Sequence, residues 1–293
     1  MSTSSVMNDW PQFLATQENL SEHTSFRIGG PAEFFFQPGC RPELVRTVCR
    51  CRRADLPVRL LGQGTNLLVS DSGVTGAVVS TRGVRHVGIG TRSISAECGA
   101  RLSQLVKASI ECGLSGLEPL AGVPGSLGGA IRMNAGTGSG CIADVIDEIT
   151  VLAQDGSLHN LRSSQAGFGY RSSKLGGAIV LAARMKLQQS EPERIRQAVR
   201  ANLLAKADSQ PMRSASAGCV FKNPPGDSAG RVIDSLGLKG VALGGAKVSD
   251  RHANFIVNLG QATSADVLVL VELVRREVLE ATGIRLELEI DVW

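Results

Sequence analysis

No apolar stretch approaches the roughly 18 residues of a membrane-crossing helix; the best, Val267 to Leu273, already contains Glu272. The N-terminus, MSTSSVMNDWP, is polar and has no apolar centre, so it does not read as a signal peptide. Charge of one sign is scarce as well: 31 basic and 27 acidic residues leave a net +4. The arginines gather only at Arg50, Arg52, Arg53 and at Arg194, Arg196, Arg200, which read as solvated helix faces, so no nucleic-acid or membrane partner is indicated. Seven cysteines, an odd number, include no C-x-x-C pair; the closest are Cys49 and Cys51. That pattern fits reduced thiols in a cytoplasmic protein rather than a disulfide framework. His23, His86, His159 and His252 are dispersed, with no metal-ligand spacing. No G-x-S-x-G elbow is present, which leaves serine-hydrolase chemistry without support.

What the chain has is length and glycine. Its 293 residues, 43 % apolar and 20 % charged, suit a soluble globular protein, and at about 150 residues per domain they suggest two domains. Of 34 glycines, nine fall between Gly113 and Gly140. A flexible linker would be poor in apolar residues. This segment interleaves Leu114, Leu117, Leu120, Val123, Leu127, Ile131 and Met133, and reads as an ordered binding loop.

Short strands and helices alternate around it. Leu44, Val45, Val48 and Cys51 are at helical spacing in Pro42 to Arg53, and Leu102, Leu105, Val106 and Ile110 mark a helix that stops at Gly113. Strands are predicted at Val58 to Leu61, Ala77 to Ser80, Ile94 to Glu97, Ile149 to Leu152, Ala178 to Leu187, Ile256 to Asn258 and Ile284 to Val292. Ser190-x-x-Glu193 with Pro192 reads as a capping box opening a helix through Ile195, Val199 and Leu203. A second helix is expected from a Ser264 cap to Gly283. The mixture predicts an α+β fold.

Five segments could carry chemistry. Gly62-Gln63-Gly64-Thr65-Asn66-Leu67 follows a strand, and its backbone N–H groups could converge on an anion. It lacks the third glycine of a dinucleotide fingerprint and the Gly-Lys-Ser/Thr of a P-loop, and a plain strand-to-turn connection would serve as well. Ala121 to Ala130 with Met133-Asn134-Ala135-Gly136 offers a turn at Pro124-Gly125, bare backbone at Gly122, Gly128 and Gly129, and polar atoms on Ser126 and Asn134. Two such loops suggest a large phosphate-bearing ligand such as a dinucleotide cofactor. Arg171, after Phe168-Gly169-Tyr170, could bind a carboxylate in a bidentate way or simply face solvent. Cys219, beside Gly218 and near Lys222 and Asn223, could be a reactive thiol or a small buried hydrophobe. In Leu286 to Asp291, strand alternation would put Glu287, Glu289 and Asp291 on one face, either wet or aimed into a cleft.

In order, TSFRIGGPA, LGQGTNLLVSDSG, GLEPLAGVPGSLGGAIRMNAG, FGYRSS, AGCVFKNP, GLKG, GGAKVSDRHANFIVN and GIRLELE closely resemble the UDP-N-acetylenolpyruvoylglucosamine reductase (MurB) family, over about residues 20 to 290. The resemblance implies a two-subdomain FAD-binding region of the vanillyl-alcohol-oxidase (PCMH) type, at residues 1–75 and 76–189, and a substrate domain at 190–293. It implies FAD as cofactor, NADPH as reductant and a UDP-sugar enolpyruvyl ether as substrate, in a cytoplasmic enzyme expected to be a monomer. The two glycine loops match the flavin diphosphate and ribityl contacts. Arg171 matches the arginine that polarises the substrate carboxylate, Cys219 the proton donor and Glu289 the active-site glutamate. Tyr170, Lys222 and Asn223 fall in motifs lining the substrate cleft.

The chain departs from the family pattern in places. Cysteine stands at 219 where serine is usual, bringing a risk of oxidation; Thr137-Gly138 replaces alanine-tyrosine; Leu288 replaces a proline. A single tyrosine, Tyr170, marks a short subtype without the inserted tyrosine loop. Two rivals follow: an FAD oxidase of the same superfamily, and a flavin or UDP-sugar binding module without catalysis.

Overall fold

The computed structural model describes residues 14–293; the polar stretch MSTSSVMNDWP lies outside them. Apolar residues alternate with polar ones or run together in short stretches, and the chain answers with small sheets covered by helices. The first sheet has the order Leu14–Asn19, Pro31–Phe36, Val74–Ser80, Val58–Leu61, with only its first pair antiparallel. Helix α1 (Arg41–Arg53) connects two of its strands and buries Leu44, Val48 and Cys51, the positions its spacing predicts.

A second sheet is antiparallel throughout: Leu158–Arg162, Ile146–Leu152, Ile179–Lys186, Ser93–Glu97, Val87–Gly90. Helix α3 (Leu127–Arg132) packs on it, while α2 (Leu102–Glu111) and α4 (Pro192–Ser209) pack on one another and on the short strand Leu114–Ser115. Ile195 and Val199 of α4 belong to the same core as Leu105, Leu114 and Leu181. The C-terminal part has α5 (Ala229–Ser235), a small sheet of Ala242–Leu243, Ala246–Val248 and Ile256–Asn258, and α6 (Ser264–Thr282). Its core takes in Phe26, Ile28 and Leu68 from the N-terminal region, so the chain's first motif is packed into its last unit.

The structure corrects several local expectations. α4 starts without a capping box: Glu191 is the N-cap and makes no side-chain bond, leaving proline at the first turn as the start signal. α6 is capped one residue earlier than read, by Thr263, which exchanges bonds with Asp266, while Gly283 closes it at φ 73° as expected. The glycine-rich segment hides the short helix α3. The regular strand expected from Ile284 is reduced to Asp291–Val292, which pairs in parallel with Leu67–Leu68.

Asp71 ties the first sheet to α6. Its carboxylate accepts from the Ser264 backbone N–H at 2.9 and 3.0 Å and from the Ser264 hydroxyl at 2.7 Å, while Ser264 Oγ accepts from the Asp71 N–H at 3.1 Å. Asp71→Ala removes the acceptor and leaves helix-terminal donors unmet. It should lower unfolding free energy by about 1–2 kcal/mol, read as a shift in the urea midpoint.

Candidate active site

The two glycine loops meet along a seam. The Gly62–Leu67 loop leaves the strand Val58–Leu61, and the second loop enters α3. A Cβ on Gly62 would lie 2.5 Å from Ser126 Oγ, and one on Gly125 would lie 3.4 Å from Thr65 Oγ1. Gly64, at φ 67°, leaves no room for a Cβ against the His23 carbonyl. Thr65 Oγ1 donates to the Pro124 carbonyl at 3.3 Å. Ser126 is 2 % exposed, and its hydroxyl has no partner among the described residues. Bare backbone on both walls and an unmet hydroxyl between them suit a phosphate-bearing cofactor held by main-chain groups. FAD fits this seam.

Other residues read as cofactor contacts spend their distinctive groups on the protein. Leu67 is a core side chain, 5 % exposed. Gly128 allows α3 to approach Cys98, where a Cβ would lie 3.0 Å from the Cys98 Cβ. Gly136 allows close approach of Cys141, and Ala135 exchanges backbone bonds with Ala130 and Ile142. Gly122, at φ 71°, lies under α4, where a Cβ would be 3.1 Å from Leu203 and Lys206. Gln63 offers its carbonyl to Arg82 at 3.3 Å, and Gly129 faces Ser126.

Each reactive group expected from the sequence is moored to one of these loops. Asn66 Nδ2 donates to the Glu289 carbonyl at 2.9 Å, and the Asn66 carbonyl accepts from the Asp291 N–H at 2.9 Å. Asn134 Nδ2 donates to the Gly169 carbonyl at 2.9 Å, while its Oδ1 accepts from the Ala143 N–H at 3.2 Å, fixing the turn that carries Arg171. Ser25 donates from its N–H to the Gly64 carbonyl at 3.0 Å and from its hydroxyl to the Ser216 carbonyl at 2.7 Å, close before Cys219. Buried Asn254, which the sequence reading missed, brackets Phe221. Its Oδ1 accepts from the Phe221 N–H at 2.9 Å and its Nδ2 donates to the Phe221 carbonyl at 2.8 Å.

The result is a compact cluster. Arg171, at φ 50°, places Nε 2.7 Å from Glu289 Oε1, with side chains 23 % and 15 % exposed. The contact is close but off the N–H axis, since that N–H has no aligned acceptor among the described residues. Glu289's N–H donates to the Val220 carbonyl at 2.8 Å, laying the Glu289 segment beside the one that carries Cys219. Burial pushes the Glu289 carboxyl up from the ordinary range, against the pull of Arg171 and Lys222. Lys222 Nζ is 3.2 Å from Glu287, whose side chain is 73 % exposed. Glu287 and Glu289 therefore do not share the environment that strand alternation implied. Tyr170 stacks 5.4 Å from the Arg171 guanidinium and accepts the Asn223 N–H at 3.2 Å, while Asn223 Oδ1 accepts the Ala229 N–H at 3.0 Å at the start of α5.

Cys219 departs from the reactive-thiol reading. Burial first, then the Glu289 charge, push it up to about 12, with Arg171 pulling weakly the other way. It stays a neutral thiol near pH 7, which also counters the oxidation risk, since the thiolate is the reactive form. Lys206 of α4 is a second residue the sequence reading missed. Its Nζ donates to the Ala121 carbonyl at 2.8 Å, and burial plus repulsion from Arg171 lower it to about 8.

The five-stranded sheet, the glycine seam and the match of residues 32–162 to the FAD binding domain family define an FAD-binding oxidoreductase with a PCMH-type cofactor region. That architecture is shared with Phl p 4.0202, a glucose dehydrogenase, at TM-score 0.52 and 18 % identity over 64 % of this chain and 44 % of that one, which speaks for the fold alone. Residues 210–293 match the family described as UDP-N-acetylenolpyruvoylglucosamine reductase, C-terminal domain. The reductase of that name from Moorella thermoacetica is 47 % identical, over 95 % of this chain and 92 % of the relative. The crystal structure of the corresponding enzyme from Thermus caldophilus matches at TM-score 0.81 and 41 % identity, covering 96 % of this chain and 98 % of that one. The chain belongs to the UDP-N-acetylenolpyruvoylglucosamine reductase family.

A thiol held near 12 should be slow to alkylate. At pH 8, iodoacetamide should label Cys219 roughly two to three orders of magnitude more slowly than an ordinary thiol. Peptide mass spectrometry against the exposed Cys40 and Cys112 checks this; labelling of Cys219 at their rate would mean an ordinary thiol.

Proposed function

We propose that the chain is an NADPH-dependent flavoenzyme that reduces the enolpyruvyl ether of a UDP-N-acetylglucosamine to give UDP-N-acetylmuramate, in the peptidoglycan precursor synthesis of its family. The observation that carries this reading is the contact between Arg171 and Glu289, whose charges both act on the thiol of Cys219. All three are moored to the glycine loops by Asn134, Asn66 and Ser25. Bound FAD would supply hydride to the terminal carbon of the enol ether. Residues 1–75, 76–189 and 190–293 are proposed as two cofactor subdomains and a substrate domain, working in the cytoplasm.

The residues divide the remaining work. Hydride addition leaves an electron pair on the carbon that bears the substrate carboxylate. Arg171 has terminal nitrogens with no acceptor among the described residues, and it holds that carboxylate while the charge spreads onto it. Glu289, raised by burial, keeps a proton more readily than an exposed glutamate and serves as a second donor. Cys219 then gives its proton to the same carbon. A carboxylate-stabilised carbanion is far more basic than a thiolate, so a thiol held near 12 still transfers downhill. The resulting thiolate takes a proton back from solvent. Tyr170 and Asn223 hold the substrate beside Arg171, and Lys222 and Lys206 supply cations toward its phosphates.

Cys219→Ala should leave flavin bleaching by NADPH within a few-fold of the parent. It should slow anaerobic recovery of colour with the enolpyruvyl substrate by about 10²–10⁴-fold, and Cys219→Ser should restore most of it. Stopped-flow absorbance separates the two steps; equal rates in the alanine variant would remove Cys219 as the acid. A pH series gives a second test. Lys206 is charged below about 8 and neutral above it, so the KM for the UDP-sugar should rise as pH passes that value. Lys206→Arg, which keeps its charge, should flatten the rise.

A further inference from the structure

Cys219 and Glu289 both lie on segments outside the regular strands. Among the described residues, the Cys219 segment has only isolated bridges, Cys219 to Phe255 and Phe221 to Leu288. The Glu289 segment gains strand partners from Asp291 onward. A backbone without a ladder must have its N–H and C=O groups met in some other way if it is to hold a side chain to a fraction of an ångström. For the stretch just after the thiol, one residue meets most of that need.

Asn254 is 2 % exposed and lies between the strands Ala246–Val248 and Ile256–Asn258. Its side chain makes both bonds to Phe221, accepting from the N–H at 2.9 Å and donating to the carbonyl at 2.8 Å. Its main-chain carbonyl accepts from the Val220 N–H at 2.8 Å. A carboxamide carries the same donor and acceptor as a peptide unit, so Asn254 does for Phe221 what a neighbouring strand would do. Asn254 is itself fixed. Its N–H donates to His252 Nδ1 at 3.2 Å, and the Phe255 N–H beside it donates to the His252 carbonyl at 3.0 Å.

The other supports of the cluster do not duplicate this one. Glu289 has its own mooring through Asn66, and Arg171 has its own through Asn134. Ser25 holds the chain shortly before the thiol, at the Ser216 carbonyl. Between Ser216 and the thiol stands Gly218 at φ 81°, where the backbone turns with no side chain to anchor it. The thiol is therefore set from its far side, by Val220 and Phe221, both of them core residues. Removing the Asn254 amide leaves the Phe221 N–H and carbonyl unmet in that core, and the segment must shift to satisfy them.

We propose that Asn254 is a positioning residue for the proton-transfer step, holding the Cys219 thiol against the substrate carbon through the backbone of Val220 and Phe221. This rests on the reading of Cys219 as proton donor and adds a residue buried behind the reacting groups. Reduction of the flavin by NADPH takes no proton from Cys219. A displaced thiol therefore affects the second half of the cycle and leaves the first alone.

The experiment is anaerobic stopped-flow absorbance of the flavin-loaded protein. The parent is compared with Asn254→Leu, which fills a similar volume and makes neither bond, and with Asn254→Asp, which keeps an acceptor for the Phe221 N–H. Bound flavin and melting temperature verify that each variant has folded, and Asn254→Asp carries the test if Asn254→Leu does not fold. Asn254→Leu should bleach with NADPH within about threefold of the parent, yet recover colour with the enolpyruvyl substrate about 10- to 100-fold more slowly. Asn254→Asp should fall between the two. The solvent deuterium isotope effect on recovery should rise in both, because proton transfer has become the slower event. In a Cys219→Ala background, Asn254→Leu should cost less than about threefold more, since a residue that acts through the thiol has nothing left to act on. Recovery at the parent rate in a folded variant overturns the proposal. So does equal slowing of both steps, or a full second loss in the Cys219→Ala background. Recovery at the parent rate in Cys219→Ala alone would instead remove the thiol as proton donor, and the positioning role with it.

Discussion

The arrangement depends on one constraint: the loops that hold the cofactor also hold the reactive side chains. Asn66 ends the first loop and bonds both the Glu289 carbonyl and the Asp291 N–H, while Asn134 leaves the second loop and bonds the Arg171 turn at Gly169. A shift of either loop therefore moves a reactive group with it. Alignment between a cofactor and its partners must hold to fractions of an ångström for catalysis. Side-chain amides to backbone carbonyls provide that rigidity without adding charge to the cleft. The short parallel pair between Leu67–Leu68 and Asp291–Val292 continues the same mooring into main-chain bonds.

Electrostatics in the cluster follow from burial acting on unlike groups. Loss of solvent raises an acid and lowers a base, and the three residues near Arg171 show both signs: Glu289 and Cys219 go up, Lys206 goes down. Arg171 opposes the rise of both acids and adds to the fall of Lys206. One guanidinium thus tunes a carboxyl, a thiol and an amine together. A thiol kept protonated in this field has a proton to give and little tendency to act as a nucleophile, which makes cysteine at position 219 chemically compatible with the proton-donor role proposed for it.

Much of this was legible in the sequence, and the misses have physical causes. Strands such as Val58–Leu61 and Ile256–Asn258 and the buried face of α6 follow from local periodicity, which a short window contains. Arg171, Cys219 and Glu289 were found because ordered motifs resemble a family; their spacing along the chain gave no hint that Arg171 would touch Glu289. Non-local contacts hid the rest. The C-terminal segment reads as a long strand because its residues alternate, yet it has strand partners only at Asp291–Val292 and a bridge at Leu288, so regular structure stops there. Lys206 sits in the last turn of a helix like many exposed lysines, and only the packing of α4 over Gly122 makes it half-buried. Asn254 lies inside a recognised motif, but nothing local says that its amide brackets Phe221.

The glycine-rich motifs show the same division between what a sequence encodes and what a fold makes of it. Glycine density predicted close approach, and close approach is found, but the approaching partner differs from one glycine to the next. At Gly62 and Gly125 the missing side chain faces the seam between the loops; at Gly128 and Gly136 it faces Cys98 and Cys141. A motif that looks like a single ligand-binding unit is therefore half cradle and half packing surface. Substitution at the packing half would act on the cradle indirectly, by displacing α3 or the turn that leads to Asn134. Asn134 in turn carries the Arg171 turn, so the packing glycines and the guanidinium they never touch belong to one mechanical unit.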